Sequence, residues 1–244
     1  MEAARKIRSA VTHVLQLRRA VDDRPALGAA VGQVKRVQSR RFAGTYADLL
    51  AGGPYAAPAQ FFLTELYSDK DYAERDAQFA RIAGAIEKFF PAQVVETAVS
   101  LAQLHALTEE LDQAMALAWL AQEGGDARRY TLAWRAVGRR EDRDNQLRVV
   151  LRIGQEMARL TRTAGLRVML KMMRGPATAA GLGSLQRFLE SGFDTFGAMA
   201  RRPGGAEEFL ATIEARESAL LRMLFDAGLV ACETGLGRTL GQAP

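Results

Sequence analysis

Apolar residues recur at every third or fourth position along almost the whole chain. No stretch shows the sustained two-residue alternation and β-branched enrichment that a strand needs. This period constrains the fold more than any other feature. It predicts an all-α protein, a single compact bundle of about nine or ten mostly antiparallel helices with no sheet. Helices are expected at 2–21, 25–50, 58–67, 71–90, 91–122, 126–137, 141–162, 164–174, 183–200 and 205–225. Gly52-Gly53-Pro54, Gly124-Gly125, Gly175-Pro176 and Pro203-Gly204-Gly205 punctuate them. In the first helix Ala4, Ile7, Val11, Val14, Leu15 and Val21 line one face, opposite Arg5, Arg8, Thr12, Gln16 and Arg19. The short loops place residues 1–226 in one helical domain, and Gly228, Gly235, Gly237 and Gly241 predict a flexible tail over 227–244.

With 244 residues, 48% hydrophobic and 25% charged, the chain can bury a sizeable core. Its longest uncharged run, Leu49 to Thr64, is cut by Gly52, Gly53, Pro54 and Pro58, so no transmembrane segment is expected. The N-terminus lacks the apolar core of a signal peptide, and the one cysteine, Cys232, cannot close an intramolecular disulfide; a cytoplasmic location is expected. The net charge of +5 is unevenly spread. Residues 1–45 carry 10 basic and 3 acidic groups, 46–125 carry 4 and 12, 126–175 carry 13 and 5, and 176–244 carry 6 and 8. Blocks of alternating sign favour neutralisation within the fold over a dedicated polyanion surface.

The heptad Phe61-Phe62-Leu63-Thr64-Glu65-Leu66-Tyr67 resembles the one that names the uncharacterised bacterial FFLEELY family, with Thr64 where the name has Glu. Asp69, Asp71, Arg75 and Asp76, the stretch from Arg174 to Glu190, and the stretch from Glu207 to Glu217 are similar to that family as well. The resemblance implies a bacterial helical protein and carries over no catalytic residue. In the heptad, Ala59, Phe62, Leu63, Leu66 and Tyr67 share one arc of the helix, with Phe61 nearly opposite. Phe61 is therefore a candidate partner-binding residue.

Chemistry is sparse. The only histidines, His13 and His105, are not preceded at three residues by Glu, so a di-iron carboxylate bundle is not expected, and no metal site or cofactor is expected. Gly181-Leu182-Gly183 lacks the strand and lysine of a phosphate loop. Asp69, Asp71 and Asp76 precede or open a helix, where carboxylates cap free amides.

Four polar residues fall on apolar stripes. His105, Thr108 and Asp112 share the face of Val94, Ala98, Leu101, Met115 and Trp119, which predicts a buried structural network. His105 and Asp112 lie about 10 Å apart along the axis, so each needs its own partner; a general-base role for His105 is the alternative. Glu217 sits between Ile213 and Leu220 and needs an arginine or hydroxyl from another helix.

Two further sets are candidate binding features. Arg148, Arg152, Gln155, Arg159 and Arg162 share one face of the helix over 144–162, where solvated or internally paired arginines are favoured; as a candidate partner surface it could take an acidic protein, anionic lipid or, less favoured for want of interleaved aromatics, nucleic acid. Met169, Met172, Met173, Phe193 and Phe196 are core packing or a pocket for an apolar small molecule. The leading functional expectation is a non-enzymatic interaction or adaptor module. A carrier of a lipid-like ligand comes second, and an enzyme using His105 third.

Overall fold

The computed structural model of the chain describes residues 1–65, 72–202 and 204–241. Every regular element among them is a helix: α1 Glu2–Asp22, α2 Pro25–Thr45, α3 Ala47–Leu50, α4 Ala56–Glu65, α5 Ala73–Phe89, α6 Ala92–Leu120, α7 Asp126–Val137, α8 Arg140–Leu160, α9 Leu166–Met172, α10 Arg174–Ala179, α11 Gly183–Ala200, α12 Gly205–Asp226 and α13 Leu229–Thr239. The all-α class holds, with more helices than nine or ten. The expected 25–50 helix is split at Tyr46, and α10 and α13 are additional.

The chain divides into two compact units. The first comprises residues 1–15, 70–106 and 149–211, and the second 16–69, 107–148 and 212–244. The divisions fall inside α1, α6, α8 and α12.

In the first unit Ala4, Ile7, Ala10 and Val14 of α1 pack with Ala83 of α5 and Ala102 and Ala106 of α6. Small side chains at such a contact let helix backbones approach closely. Leu185, Phe193, Phe196 and Met199 of α11 and Phe209 and Leu210 of α12 are also buried here.

The second unit has the larger aromatic core. Leu27, Ala30, Val34 and Val37 of α2 pack with Met115 and Trp119 of α6, Tyr130 and Trp134 of α7, Leu224 of α12, and Leu236 and Leu240 at the C-terminal end. Within the segment 227–244, for which a flexible tail is expected, residues 229–239 form α13, which packs on α2 and α7 and buries Cys232, Leu236 and Gly237; 242–244 lie outside the described residues. Glycines are contact points on both sides of α13. A Cβ on Gly235 would stand 2.8 Å from the Met223 sulfur, and one on Gly44 of α2 would stand 1.8 Å from the Thr239 carbonyl oxygen. A glycine count alone reads as flexibility, whereas here the missing side chains admit close helix approach.

The heptad helix α4 belongs to the second unit. Phe62 is buried and stacks on Phe42 with ring centroids 6.5 Å apart, while the half-buried Phe61 meets Phe62 edge-on at 6.4 Å. Thr64 turns its hydroxyl back to donate to the Gln60 carbonyl at 2.9 Å, which satisfies it within the helix. Leu66, Tyr67, Asp69 and Asp71 lie outside the described residues.

Candidate functional site

In the first unit, the start of α5 is a polar joint. Asp76, buried at 5% exposure, places Oδ2 3.0 Å from His105 Nε2 on α6. It is engaged with a histidine rather than acting only as a cap. Gln78, two residues on, donates from Nε2 to Glu74 at 2.8 Å and accepts the Leu185 amide at 2.8 Å, so it satisfies a free amide in the first turn of α11. Ser184 donates to Glu74 at 3.0 Å, and the Arg75 guanidinium lies over the Tyr72 and Phe188 rings at 3.9 and 4.4 Å. Sequence reading missed Gln78 because long-range capping leaves no local pattern. The His105 side chain keeps 22% exposure, so it is half-buried rather than enclosed.

The same unit carries an open groove of about 780 Å³. Its walls come from the start of α1, the first turns of α6 and the last turns of α8. Lys6, Glu96, Ser100, Arg152, Glu156 and Arg159 line it, with Val95, Val99, Ile153 and Leu160 beneath them. Arg152 donates to Ser100 at 3.3 Å, and Arg159 pairs with Glu156 at 2.9 Å while its side chain stays 76% exposed. Glu87, also on the groove, accepts the Ala3 and Ala4 amides at 3.2 and 3.3 Å, holding the start of α1 against α5; the Met1 ammonium and these two bonds keep its carboxyl below the usual range.

Arg152, Arg159 and Arg162 belong to the first unit, Arg148 and Phe61 to the second. Arg148 and Arg162 are exposed, and Arg148 bonds Asn145 one turn back at 3.1 Å. The apolar set divides as well. Phe193 and Phe196 are buried and Met169 is half-buried, but Met172 and Met173 are 73% and 40% exposed. Those two methionines therefore do not line an interior pocket. None of the five lines the groove.

The second unit closes its polar groups on one another. Glu217 accepts from Arg41 at 2.5 Å and from the Tyr46 hydroxyl at 2.9 Å, all three buried. Arg216 bonds both oxygens of Asp48 at 2.7 Å and holds its carboxyl down to about 2. Gln38 donates to Asp112 at 2.9 Å, Gln146 to Thr108 at 2.7 Å and Lys35 to Glu109 at 2.8 Å. Burial pushes the Asp112 carboxyl up despite the Lys35 charge and the Gln38 bond, and it raises the Tyr130 phenol too. The buried Arg143 lies over the Trp134 ring at 4.1 Å. His105, Thr108 and Asp112 thus each meet a different helix and do not converge.

Among the described residues no group of three or more His, Cys, Asp or Glu can hold a metal ion, and no helix is long and apolar enough to cross a membrane. No curated protein matches the chain, and no solved structure matches it either. A family described as "Domain of unknown function (DUF8198)" matches residues 17–229, most of the chain, and the protein belongs to that family.

Proposed function

We propose that this protein is a non-enzymatic interaction module that docks a protein segment in the groove of its first unit. One observation carries the reading: an open groove has Val95, Val99, Ile153 and Leu160 on its floor and charged side chains of both signs around them, Arg152 and Arg159 beside Glu2, Glu87, Glu96 and Glu156. An apolar floor with a charged rim is the composition of a protein-docking surface, where the floor supplies affinity and the rim fixes register. The polar residues that would serve an enzyme lack a convergent arrangement, since His105 meets Asp76 while Thr108 and Asp112 are bonded elsewhere. The exposure of Met172 and Met173 weighs against a carrier built on them. The resemblance to the FFLEELY family adds no activity to this reading.

Native mass spectrometry of the protein purified from its own host is the test. The expected result is a retained protein that is lost from an R152E/R159E double variant with unchanged helix content. An apolar small molecule retained in its place would overturn the reading in favour of a carrier.

A further inference from the structure

Residues 157–189 contain six basic side chains, Arg159, Arg162, Arg167, Lys171, Arg174 and Arg187, and no acidic one. All belong to the first unit, which carries the whole excess charge of the protein: 16 lysines and arginines against 11 aspartates and glutamates, where the second unit has 17 of each. At the centre of this basic stretch is α9, and its burial pattern is inverted. Leu166, Met169 and Leu170 are half-buried, while Val168 and Met172 are 61% and 73% exposed. At helical spacing Val168, Lys171 and Met172 fall within about 100° of arc, with Arg167 at its edge. Exposures this high mean that the two apolar side chains stand proud of the surface as a knob instead of lining a groove.

We propose that α9 is a peripheral contact site for a lipid bilayer bearing anionic headgroups. Val168 and Met172 enter the acyl boundary, and the lysine and arginines that flank them meet lipid phosphates and carboxylates. Protruding apolar groups inside a basic field are what an anionic interface selects, because apolar burial and charge attraction add. The unbranched methionine adapts to a fluid environment, and Lys171 can lay its stem along the apolar pair while its ammonium stays at headgroup level. Arg167 pairs with Asp194 and Arg174 with Glu190 across the surface. The exposed Arg167–Asp194 pair is weak in water and yields readily to phosphate, whereas Glu190 is mostly buried and also held by Gln186, so Arg174 stays paired. Counting Glu156, Glu190 and Asp194 at the edges, the stretch keeps its positive excess. A purely acidic peptide or a nucleic acid would use the basic groups and leave Val168 and Met172 in water.

Flotation of the full-length protein with vesicles tests this. Vesicles of phosphatidylcholine containing phosphatidylserine are expected to retain the protein, phosphatidylcholine alone is not, and added salt weakens retention. A V168S/M172S double variant with unchanged circular dichroism should lose about tenfold or more in affinity, and K171Q about fivefold. No retention on the anionic vesicles, or retention unaffected by V168S/M172S, overturns the proposal. Binding to polyglutamate or single-stranded DNA at least as tight as to vesicles, and insensitive to V168S/M172S, overturns it in favour of a general polyanion surface. Val168, Lys171 and Met172 do not line the groove, although Arg159 of the basic stretch does, so V168S/M172S leaves docking of a protein segment intact and the two readings fail separately.

Discussion

The two units use polar residues in opposite ways. The second has equal numbers of acidic and basic residues and places Arg41, Glu217, Asp112 and Arg143 in its interior. The first carries the net positive charge and has Asp76 as its buried charged side chain among the described residues, while both units keep ion pairs at the surface and expose apolar side chains, Val168, Met172 and Phe89 in the first and Leu117, Leu120 and Val230 in the second. Buried ion pairs contribute little net stability against a hydrophobic alternative, but breaking one strands a charge. The second unit therefore depends on completeness, whereas the first tolerates surface change and leaves side chains available for contact.

The sharpest break of this contrast is Glu217→Ala, which leaves the Arg41 guanidinium buried beside Tyr46 without its carboxylate. A loss of about 3 to 5 kcal/mol, or roughly 10 °C in Tm, is expected in thermal unfolding. In the first unit Arg174→Ala removes only a surface pair and should move the midpoint by less than about 2 °C. An equal drop in the two variants would erase the distinction.

Glycine substitutions come next. Gly44→Ala forces a Cβ to within 1.8 Å of the Thr239 carbonyl oxygen, a backbone atom that moves only if α13 moves. Gly154→Ala in the first unit meets the end of the Leu210 side chain at 2.6 Å, which can rotate away. Chemical denaturation should show a loss of about 2 to 3 kcal/mol for the first and about 1 kcal/mol for the second. Equal losses would mean that α13 is not held at Gly44.

The smallest effects lie in pH dependence and have opposite signs. Burial raises the Asp112 carboxyl above its ordinary 3.8, so the folded state retains that proton longer than the unfolded chain. Its contribution is fully present below pH 3.8 and is lost as pH rises through the raised value. Glu190, held by Arg174 down to about 2 from 4.5, contributes above pH 4.5 and loses that contribution as pH falls towards 2. Asp112→Asn should flatten the decline on the rising side, and Glu190→Gln should flatten the acid limb. Unfolding midpoints measured across pH for both variants check the signs; matching slopes would refute the assignment.

Much of the helical order is legible in sequence, because glycines and prolines bound strongly periodic segments. The ranges 126–137 and 183–200 coincide with α7 and α11. The angular position of Glu217 on its stripe already calls for an arginine or hydroxyl from elsewhere, and the separation of His105 from Asp112 requires two partners. The identities of those partners are not legible: Arg41, Tyr46, Asp76 and Gln38 are distant in sequence, and nothing local marks them. The α13 helix and the outward Met172 failed for a related reason. Glycine and methionine are ambiguous alone, and only the neighbouring helix decides whether a glycine is a hinge or a seat and whether a methionine is covered.

The interleaving of the two units has a consequence for the order in which the protein can be made. Each unit is assembled from three separated stretches, the last of them 149–211 and 212–244. During vectorial synthesis the first unit cannot close until about residue 211 has emerged, and the second, with α13 among its final parts, not until near the end. Long-range closure of this kind delays folding and leaves apolar helix faces uncovered on the ribosome. The nascent chain therefore depends on late residues to hide early ones, and truncation within α13 should harm solubility more than its modest length suggests.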